Sequence, residues 1–470
     1  MGTWVPRLPP PLPERELEGI LHDACRVLQE IGVECRHAGT RLRLAELGGV
    51  TLRHDRVHFA PEPLRDRVAL SQAAGKAAGP QPDGPLTLGA CWACLFYCDP
   101  ESGQVRPASS EEAAAMARLW DARGLRGPVP VVPGDVPPAL VTLASERIAL
   151  THSALLGGGL TVTDPEEVRH LMAMNLAAGR RYRLLCQVSI SPLRLNAEAL
   201  ETAVTFLDHP DVDVDLGGAI PMAGATCPLE PRSAAVQSLA EALAFDRLAA
   251  ALGRPEGLSL RIEPFDFQYS TIVFGSPEWC LYRALVLQLT GWLAGHPATG
   301  GSFRSTAKQP DAQAASERTA SVLWQALLGV RHFGAVGQLS VDEVFSPQQA
   351  VIDREILAYV DRVAKGMDAA RASGDPVELI RRGMAEGSFA GLPETVGGYR
   401  EFCTFPELFR HWNVGRWRAE GQPSVLGEAW TRARAEAAAS THALGGDAQQ
   451  RVDRLYEDAV AYVRRRKWSG

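Results

Sequence analysis

The sequence predicts an α/β protein built on a TIM (β/α)8 barrel, with an N-terminal α+β addition and a C-terminal helical addition. Seven short apolar strand candidates alternate with helix-length segments between residues 109 and 345, and such alternation is typical of a parallel sheet. Neither a GxGxxG nor a GxxxxGKS/T motif is present, so the nucleotide site of an open doubly wound sheet is not indicated. Repeated βα units without that site favour a closed barrel.

The chain divides into three expected parts. Residues 1–108 combine a proline-rich arm with short helices and strands, and we expect a mixed α+β subdomain there. Residues 109–345 carry the alternating pattern and are expected to form the barrel core. Residues 346–470 are mostly helical and are expected to complete and cover the barrel, ending in a long charged helix from about residue 447 to 467.

The strand candidates indicate where a ligand site is expected. The stretch from Val212 to Phe245 shows one βα unit clearly, because alternating Val and Asp give way to a glycine-rich loop and then to a helix. Loops at the carboxyl ends of such strands hold ligands, although a plain glycine and proline connection is an equally open interpretation. The strand candidates are 128–136, 156–164, 183–193, 212–220, 258–267, 297–306 and 330–339.

The composition excludes several classes of partner. With 470 residues, 46% of them hydrophobic, the chain can bury a large core without disulfides or metal. The formal net charge is -7 and Lys and Arg are dispersed, so nucleic acid is not expected as a partner. Neither a run of about 18 apolar residues nor a secretory h-region is seen, so we expect no membrane association, a cytoplasmic location and reduced cysteines.

Three of the nine cysteines lie close together, as Cys91-x2-Cys94-x3-Cys98. The cluster could hold a metal or an iron–sulfur centre, but no second cysteine pair completes a zinc site, and the order reverses the CxxxCxxC spacing of radical enzymes. Large apolar side chains, among them Trp92, are interleaved with the thiols. Small packed residues of a strand are therefore the favoured interpretation, and no metal ligands are predicted.

Side chains at the strand carboxyl ends would converge on one opening of a barrel. They include few strong nucleophiles, and no Ser-His-Asp order or HExxH motif is found. Aromatic side chains with a few carboxylates suit a bulky cation or an apolar group, since aromatic faces attract quaternary ammonium. We predict His332 and Glu263 as catalytic residues. The predicted substrate-binding residues are Tyr97, Phe265, Phe267, Arg304, Phe333 and Gln187.

Several of these candidates have structural alternatives. His332 could ligate a metal, act as a base or bind a carboxylate, or it could be satisfied by a neighbouring carbonyl. Arg304 could clamp an anionic group bidentately. An aromatic residue in a strand, such as Tyr97, is more often part of a core than of a site. The competing ion pairs are Arg304 with Asp311 or Glu317, and Glu263 with Arg261 or Arg304.

Several ordered stretches resemble a known family. GAIPMAGATCPLEPRSAAVQSLAEALAF (218–245) is similar to a Gly-Ala-Thr-x-Pro loop followed by a helix with Ala-Glu. FGSPEW (274–279) resembles a Gly-Ser-Pro-Glu helix start, and STAKQPDAQAASE (305–317) resembles a Lys-x-x-Asp-x-Gln-Ala-x-x-Glu segment. Together with SPL (191–193), the N-terminal LxxxxxVLxEIGV and the late ETVGGYRE, they resemble the trimethylamine methyltransferase family of corrinoid-dependent methyltransferases, in particular its members without pyrrolysine that act on glycine betaine and related quaternary amines.

The resemblance covers about Leu17 to Ala438 and implies a TIM barrel that moves a methyl group from an amine to Co(I). Because no DxHxxG corrinoid-binding motif occurs, it implies that a cobalamin or corrinoid is brought by a partner protein or binds in the barrel mouth directly, with none held permanently. The corrinoid is expected to meet the loop of Gly224, Ala225 and Thr226. A quaternary ammonium needs no protonation to leave, so the site must hold the cation, exclude water and aim one methyl group. The arm and the apolar content lead us to expect a homo-oligomer.

Two departures from the family bear on the reaction. The chain has Ser305-Thr306-Ala307-Lys308 where relatives often read Thr-Asp-x-Lys, and Glu394-Thr395 where they often read His-Thr. Two other functions therefore stay open. One is a barrel enzyme that uses Glu394 or His332 as acid or base on another small cationic or carboxylated metabolite. The other is a non-catalytic ligand-binding homologue.

Overall fold

The computed structural model describes residues 4–79, 84–254, 257–372 and 374–467, and it shows a mixed α/β protein. The predicted α/β class is confirmed. The first three residues of the proline-rich arm lie outside the described ranges. Helix starts follow the capping side chains in the sequence. Ser109 and Glu112, for example, form a reciprocal capping box, and Asp164 accepts a hydrogen bond from the first turn of the helix that follows it.

The strands are short and alternate with helices along most of the chain. In chain order they are β1 Val33–Cys35, β2 Val50–Arg53, β3 Arg56–Phe59, β4 Thr87–Leu88, β5 Phe96–Cys98, β6 Val105–Arg106, β7 Tyr182–Cys186, β8 Ser189–Ile190, β9 Arg194–Leu195, β10 Val212–Leu216, β11 Met222–Ala223, β12 Glu263–Asp266, β13 Thr271–Ile272, β14 Gly300–Ser302, β15 His332–Gly334, β16 Gln338–Leu339 and β17 Val344–Phe345.

The helices carry the apolar stripes that cover the strands. In chain order they are α1 Glu14–Glu30, α2 Ala38–Ala45, α3 Pro61–Ala78, α4 Ser110–Ala122, α5 Val141–His152, α6 Pro165–Ala177, α7 Ala197–Phe206, α8 Pro231–Ala251, α9 Pro277–Ala294, α10 Ala312–Leu327, α11 Pro347–Ala364, α12 Pro376–Glu386, α13 Pro393–Phe402, α14 Val414–Ala419, α15 Val425–Ala439 and α16 Gly446–Lys467. The predicted long C-terminal helix corresponds to α16.

Parallel pairing joins seven segments of the chain into one array. Extended parallel pairs link β14 to β15, β15 to β4, and β7 to β10. Single parallel bridges complete the series, from Cys94 to Val131, from Gly127 to Leu156 and from Thr161 to Leu185. Consecutive segments are neighbours except at β10 and β14, and β15, the last in sequence, pairs with β4, the first. This cyclic order is the one that a barrel requires.

The array has one open edge. The segment that ends in β12 pairs in parallel with β11, through Met222 and Glu263. Within the described ranges, no backbone hydrogen bond joins residues 257–263 to residues 299–303. The structure therefore shows the predicted parallel arrangement, but hydrogen bonding does not close it into a complete barrel between β12 and β14.

The two additions pack on opposite sides of this array. The N-terminal sheet has the order β2-β3-β1-β9-β8, and α1 and α3 pack against α8 and α9. At the other end of the chain, α15 packs on α4 and α11, and α16 packs on α5 and α6. The segment from β4 to Cys94 belongs to the parallel array, although the sequence placed it in the N-terminal part.

Candidate active site

A cavity of about 300 Å³ lies at the open edge of the array. Its walls come from the segment ending in β12, from β14 and the residues after it, from the start of α9 and from the end of β15. Three glycines, Gly300, Gly301 and Gly334, and small residues such as Ala90 leave room for the larger side chains. Those larger and polar lining residues are Trp92, Arg261, Glu263, Phe274, Trp279, Arg283, Ser302 and Arg304.

The three lining glycines lie on two neighbouring strands, Gly300 and Gly301 on β14 and Gly334 on β15. They matter because β14 and β15 present almost no side-chain volume to the cavity. At Gly301 an added Cβ would lie 2.6 Å from the Val330 side chain, so this position also fixes how closely the strand packs on the chain behind it.

A buried carboxylate and an indole form the centre of the cavity wall. Glu263 is 8% exposed, and its Oε2 accepts a 2.7 Å hydrogen bond from Nε1 of Trp279, in the first turn of α9. Burial raises the pKa of Glu263, while the charges of Arg304 and Arg283 act in the opposite direction. The carboxylate is therefore held by an indole N–H and by the field of nearby guanidinium groups.

Arg283 lies at the boundary between the cavity and the open edge. Its Nη2 donates a 2.6 Å hydrogen bond to the carbonyl of Gly300, and its Nε is buried with no hydrogen-bond partner in the described part of the chain. Burial lowers the pKa of Arg283 to about 10, with Glu263 opposing that change. This guanidinium both supports β14 and adds positive charge to the cavity.

Arg304 stacks on an aromatic wall of the cavity. Its guanidinium carbon lies 4.9 Å from the ring centroid of Phe274, and its nearest carboxylate, on Asp342, is 3.9 Å away. Thr306 holds Phe274 in place, because its Oγ1 accepts from the Phe274 N–H at 3.1 Å and donates to the Phe274 carbonyl at 2.8 Å. The family departure at Thr306 therefore supports the cavity directly.

Arg261 differs from the other two cationic residues because no hydrogen bond or ion pair to its guanidinium is found in the described ranges. The side chain retains accessible surface, and it lines both the main cavity and a smaller one of about 170 Å³ beside α8. The surrounding protein lowers the pKa of Arg261, and the charge of Arg304 lowers it further. Arg261 thus presents an unpaired positive charge to the cavity.

Exposed apolar side chains lie near the cavity at the carboxyl ends of the strands. Trp92 lines the cavity and is 41% exposed, and Phe267 is 63% exposed. Phe265 and Phe267 form an edge-to-face pair with centroids 5.4 Å apart. Phe267 also covers Gly224, where φ is +92° and an added Cβ would lie 2.7 Å from the phenyl ring. Only glycine combines that backbone angle with this contact.

The structure brings several predicted site residues together. Glu263 and Arg304 line the same cavity. Phe265 of β12 and Phe267 of the turn after it contact each other, but neither is among the residues that line the cavity.

The alternative ion pairs of Arg304 with Asp311 or Glu317 are not found in the described ranges, where Arg304 instead pairs with Asp342. Asp311 caps α10 by accepting from Ala314 N, and Glu317 accepts from Ser305 Oγ and Thr306 N.

His332 does not lie where the sequence placed it. It is the first residue of β15 rather than a residue at the carboxyl end of a strand, and it is outside the lining of the cavity. Its Nδ1 is 3.0 Å from Oγ1 of Thr87 on the neighbouring strand. The sequence placed His332 at the carboxyl end of its strand, but β15 begins at His332 and ends at Gly334. Gly334 is the residue of β15 that lines the cavity.

Three other predicted residues are also outside the cavity lining. Phe333 is fully buried in the apolar core, edge-to-face with Phe303 at 5.8 Å, because strand alternation directs it away from the cavity. Tyr97 is buried in the same core, which agrees with its structural alternative. Gln187 donates from Nε2 to the carbonyls of Ser189 and Gly218 and so ties two strand ends together.

Sequence reasoning missed much of the cavity wall. Phe274 and Trp279 are the first and last residues of FGSPEW, so that motif contained a signal that was used only as a resemblance. Arg261 and Arg283 were not predicted as site residues, because an arginine in a strand or helix gives no sign of the direction it faces. Glu394 lies on α13, where it forms an ion pair with Arg382 of α12, and it is not among the residues that line the cavity.

The cysteine cluster has a packing role in the structure. All nine cysteines are free thiols. Cys94 accepts a hydrogen bond from Gln338 Nε2 at 3.6 Å and is completely buried, and Cys98 lies in a separate small apolar cluster. Across the described ranges, no group of three or more His, Cys, Asp or Glu side chains is placed to hold a metal ion.

A helix long and apolar enough to cross a bilayer is not found in the described ranges.

The fold and the cavity define a class of protein: an α/β protein with a parallel array of strands and, at its open edge, a cavity lined by aromatic rings, one buried carboxylate and several guanidinium groups. The trimethylamine methyltransferase (MTTB) family model matches residues 6–470. The chain therefore belongs to the trimethylamine methyltransferase family, as its motifs indicated.

Individual relatives match over a shorter stretch. Trimethylamine methyltransferase MttB of Methanosarcina thermophila is 30% identical over 164 residues, which is 34% of this chain and 33% of the relative. MttB of Methanosarcina barkeri (strain Fusaro) is 32% identical over 165 residues, 34% of this chain and 32% of the relative. The matched stretch thus spans about a third of the length of these relatives. The crystal structure of the monomethylamine methyltransferase MtmB of Methanosarcina barkeri aligns with a TM-score of 0.46 and 9% identity, over 96% of this chain and 88% of that chain.

Proposed function

We propose that the protein is an enzyme that transfers a methyl group from a quaternary amine or betaine, such as glycine betaine, to the Co(I) of a corrinoid protein or cobalamin. One observation carries this proposal: a cavity of about 300 Å³ places a buried carboxylate beside aromatic faces and guanidinium groups. A betaine has a methylated cation at one end and a carboxylate at the other. Both ends find complementary groups among the lining residues.

The cationic end fits the wall that contains Glu263. Phe274, Trp279 and Trp92 supply aromatic surfaces, which attract a quaternary ammonium within roughly 6 Å of a ring centroid. Glu263 supplies the opposite charge in a site that is shielded from bulk water, where the attraction is stronger than at a surface. The carboxylate end of a betaine would then pair with Arg304 or Arg261.

These residues would contribute by position rather than by forming a covalent bond. A bound corrinoid supplies the Co(I) nucleophile that accepts the methyl group. When the N–CH3 bond breaks, its electron pair stays on nitrogen, so the positive charge near Glu263 disappears as the tertiary amine leaves. The aromatic wall keeps water away from the reacting carbon and limits the directions in which a methyl group can point.

The apolar side chains near the cavity support the entry of a corrinoid carried by a partner protein. Trp92, Phe267 and Leu229 expose large apolar areas near the strand ends, which suits a broad and partly apolar macrocycle. We propose that the loop of Gly224, Ala225 and Thr226 contacts that group. Ala225 is exposed, and hydrogen bonds from Ala225 N and Thr226 N to the Met222 carbonyl hold the loop in a tight turn.

We further propose that the parallel array is a (β/α)8 barrel with a core that begins before residue 108, since β4 pairs within the array. Nine free thiols and the lack of a bilayer-spanning helix in the described ranges support a cytoplasmic location. His332 lies outside the cavity, so we assign the binding of the cation to Glu263 alone.

We also propose that two copies of the chain associate through α12, α13 and the segment that follows. Large apolar side chains are exposed there, among them Ile380, Met384 and Phe402. The charged residues of this region pair with one another, as Arg382 does with Glu394, so the surface does not select a partner of opposite charge. Stable interfaces cover roughly 800 Å² on each partner, and exposed apolar side chains on neighbouring helices can contribute to such an interface with a second copy.

The test is methylation of free cob(I)alamin by the purified protein, followed by absorbance, with tetramethylammonium, glycine betaine, other betaines and trimethylamine as methyl donors. We expect methylcobalamin to form from at least one quaternary compound and not from trimethylamine. Formation from none of them would contradict the proposal. Ligand binding without any methyl transfer would instead support the non-catalytic homologue.

A further inference from the structure

We infer that the substrate carries two negative charges in addition to its methylated ammonium group, either as two carboxylates or as one phosphate. The inference rests on the proposed function and narrows its substrate class. It comes from the balance of charge in the cavity. Arg261, Arg283 and Arg304 face a single lining carboxylate, Glu263, and Asp342, outside the lining, forms an ion pair with Arg304 at 3.9 Å. Three positive charges therefore face two negative ones, and a substrate with a net charge of about −1 would balance them.

A simple betaine would not correct this imbalance. Glycine betaine has one positive and one negative charge, so its binding leaves the net charge of the cavity unchanged. Glu263 is buried, Arg283 and Arg304 are half-buried, and Arg261 is exposed. The more a charge is removed from water, the more its stability depends on being paired and hydrogen-bonded. A substrate with one ammonium group and two negative charges would pair the ammonium with Glu263 and leave two anionic charges for guanidinium groups.

The three guanidinium groups are not equivalent, and their contacts indicate which of them would bind the anionic groups. Arg283 already donates to the Gly300 carbonyl at 2.6 Å. Arg304 stacks on Phe274, and the 3.9 Å distance to Asp342 is too long for a hydrogen bond, so its donors stay available. Arg261 has no hydrogen-bond partner in the described ranges.

The position of Arg261 adds room for a second anionic group. It lines the main cavity and also the cavity of about 170 Å³ beside α8, so a group bound to it has space on either side. Guanidinium groups bind carboxylate and phosphate oxygens through two parallel N–H donors, which suits both forms of the anionic group. We therefore assign Arg261 and Arg304 to the two anionic charges.

The experiment measures binding without any corrinoid, through the quenching of tryptophan fluorescence from Trp92 and Trp279. Four compounds form a series: tetramethylammonium, glycine betaine, N,N,N-trimethylaspartate and phosphocholine. We expect at least one of the last two to bind about tenfold or more tightly than glycine betaine. Comparing the affinity for trimethylaspartate with that for phosphocholine shows whether the site prefers two carboxylates or one phosphate. Equal affinity for glycine betaine and both doubly charged compounds would overturn the inference.

Variants of Arg261 test its assignment. We expect Arg261→Gln to remove most of the preference for the doubly charged compound and Arg261→Lys to restore part of it, because Lys keeps the charge but not the paired donors. Arg53→Gln, at an exposed position of the N-terminal sheet, is the matched control and should keep the preference. An unchanged preference in Arg261→Gln would remove Arg261 from the site, and the melting temperature of each variant shows that it is folded.

The binding experiment and the methyl-transfer experiment can fail independently of each other. Methylcobalamin formation from glycine betaine with no preference for doubly charged compounds would overturn the inference and leave the methyltransferase proposal in place. Tight binding of a doubly charged compound without any methyl transfer would support the inference and contradict the proposed reaction.

Discussion

The indole N–H of Trp279 donates a 2.7 Å hydrogen bond to Oε2 of Glu263, and this contact links α9 to β12 across the cavity. FGSPEW ends with Trp279, and Ser276 of the same motif caps α9 by accepting from Trp279 N at 3.1 Å. The motif therefore starts a helix and at the same time orients the donor that holds the carboxylate. Both roles depend on the first turn of α9 being fixed.

Replacement of Trp279 by Phe should weaken catalysis without removing the aromatic wall. The change deletes the N–H donor to Glu263, and a hydrogen bond to a charged group contributes about 1.5 to 3 kcal/mol. We expect kcat/KM for the best methyl donor to fall by roughly tenfold or more. Trp324→Phe is the control, because the Nε1 of Trp324 has no hydrogen-bond partner in the described ranges. Equal rates in the two variants would show that the bond does not contribute.

Binding of tetramethylammonium should depend on pH through Glu263. Burial raises the pKa of this carboxyl above the ordinary 4.5, so the charge that attracts the cation is lost at a higher pH than at an exposed Glu. We expect affinity to fall as the pH is lowered through that raised pKa. Fluorescence titrations of the wild type and of Glu263→Gln at several pH values test this. The variant should bind weakly with no change over the same range.

The same pKa shift has the opposite effect on stability. Because the folded-state pKa of Glu263 is raised, its protonated form favours folding. That contribution is complete below about pH 4.5 and is lost as the pH rises through the folded-state pKa. Urea unfolding of Glu263→Gln should therefore show a weaker dependence on pH in this window. An identical slope in the two proteins would contradict the pKa shift.

Phe333 and His332 were predicted as site residues, but replacing either of them should leave ligand binding largely unchanged. Phe333 is fully buried against Phe303, so Phe333→Leu should lower the free energy of unfolding by about 1 to 3 kcal/mol. His332 lies outside the cavity lining, so His332→Ala should leave the dissociation constant of the ligand within about twofold. Chemical denaturation and fluorescence titration measure the two quantities. A large loss of affinity in either folded variant would return that residue to the site.

The ion pair between Arg318 and Asp353 should be the most costly one to break. Both side chains are completely buried, and Nη1 of Arg318 lies 2.7 Å from Oδ2 of Asp353. Asp353→Ala leaves a buried charge without its partner, and we expect a loss of about 3 to 5 kcal/mol in the free energy of unfolding. Glu378→Ala breaks an exposed pair with Arg381 and should cost about 1 kcal/mol or less. Similar losses in the two variants would contradict this difference.

The proposed self-association predicts a change of mass in solution. Ile380→Glu combined with Phe402→Glu places charges on the exposed apolar side of α12 and α13, and we expect the double variant to sediment as a monomer. Leu42→Glu, on the exposed part of α2, is the control and should sediment like the wild type. A monomeric wild type, or an unchanged mass in the double variant, would contradict the proposal.

The sequence predicted the fold better than the site because the two depend on different kinds of information. Alternating strands and helices, with capping residues such as Ser109 and Asp311, depend on local patterns. Glu263 and Arg304 were found because they lie toward the carboxyl ends of strand candidates. Phe333 was misplaced because one residue of register decides which side of a strand a side chain occupies, and His332 because β15 begins at it rather than ending there. Both are set by pairing with distant segments.

The sequence by itself determined the α/β class, the order of the strands and helices, and the motifs that identify the family. Only the tertiary structure decided which residues share the cavity. Arg261 precedes β12, Arg283 lies in α9 and Arg304 follows β14, and the three meet at the opening between β12 and β14. The physical reason is that local propensity acts over a few residues, whereas the charge balance of a site depends on how segments far apart in sequence pack together.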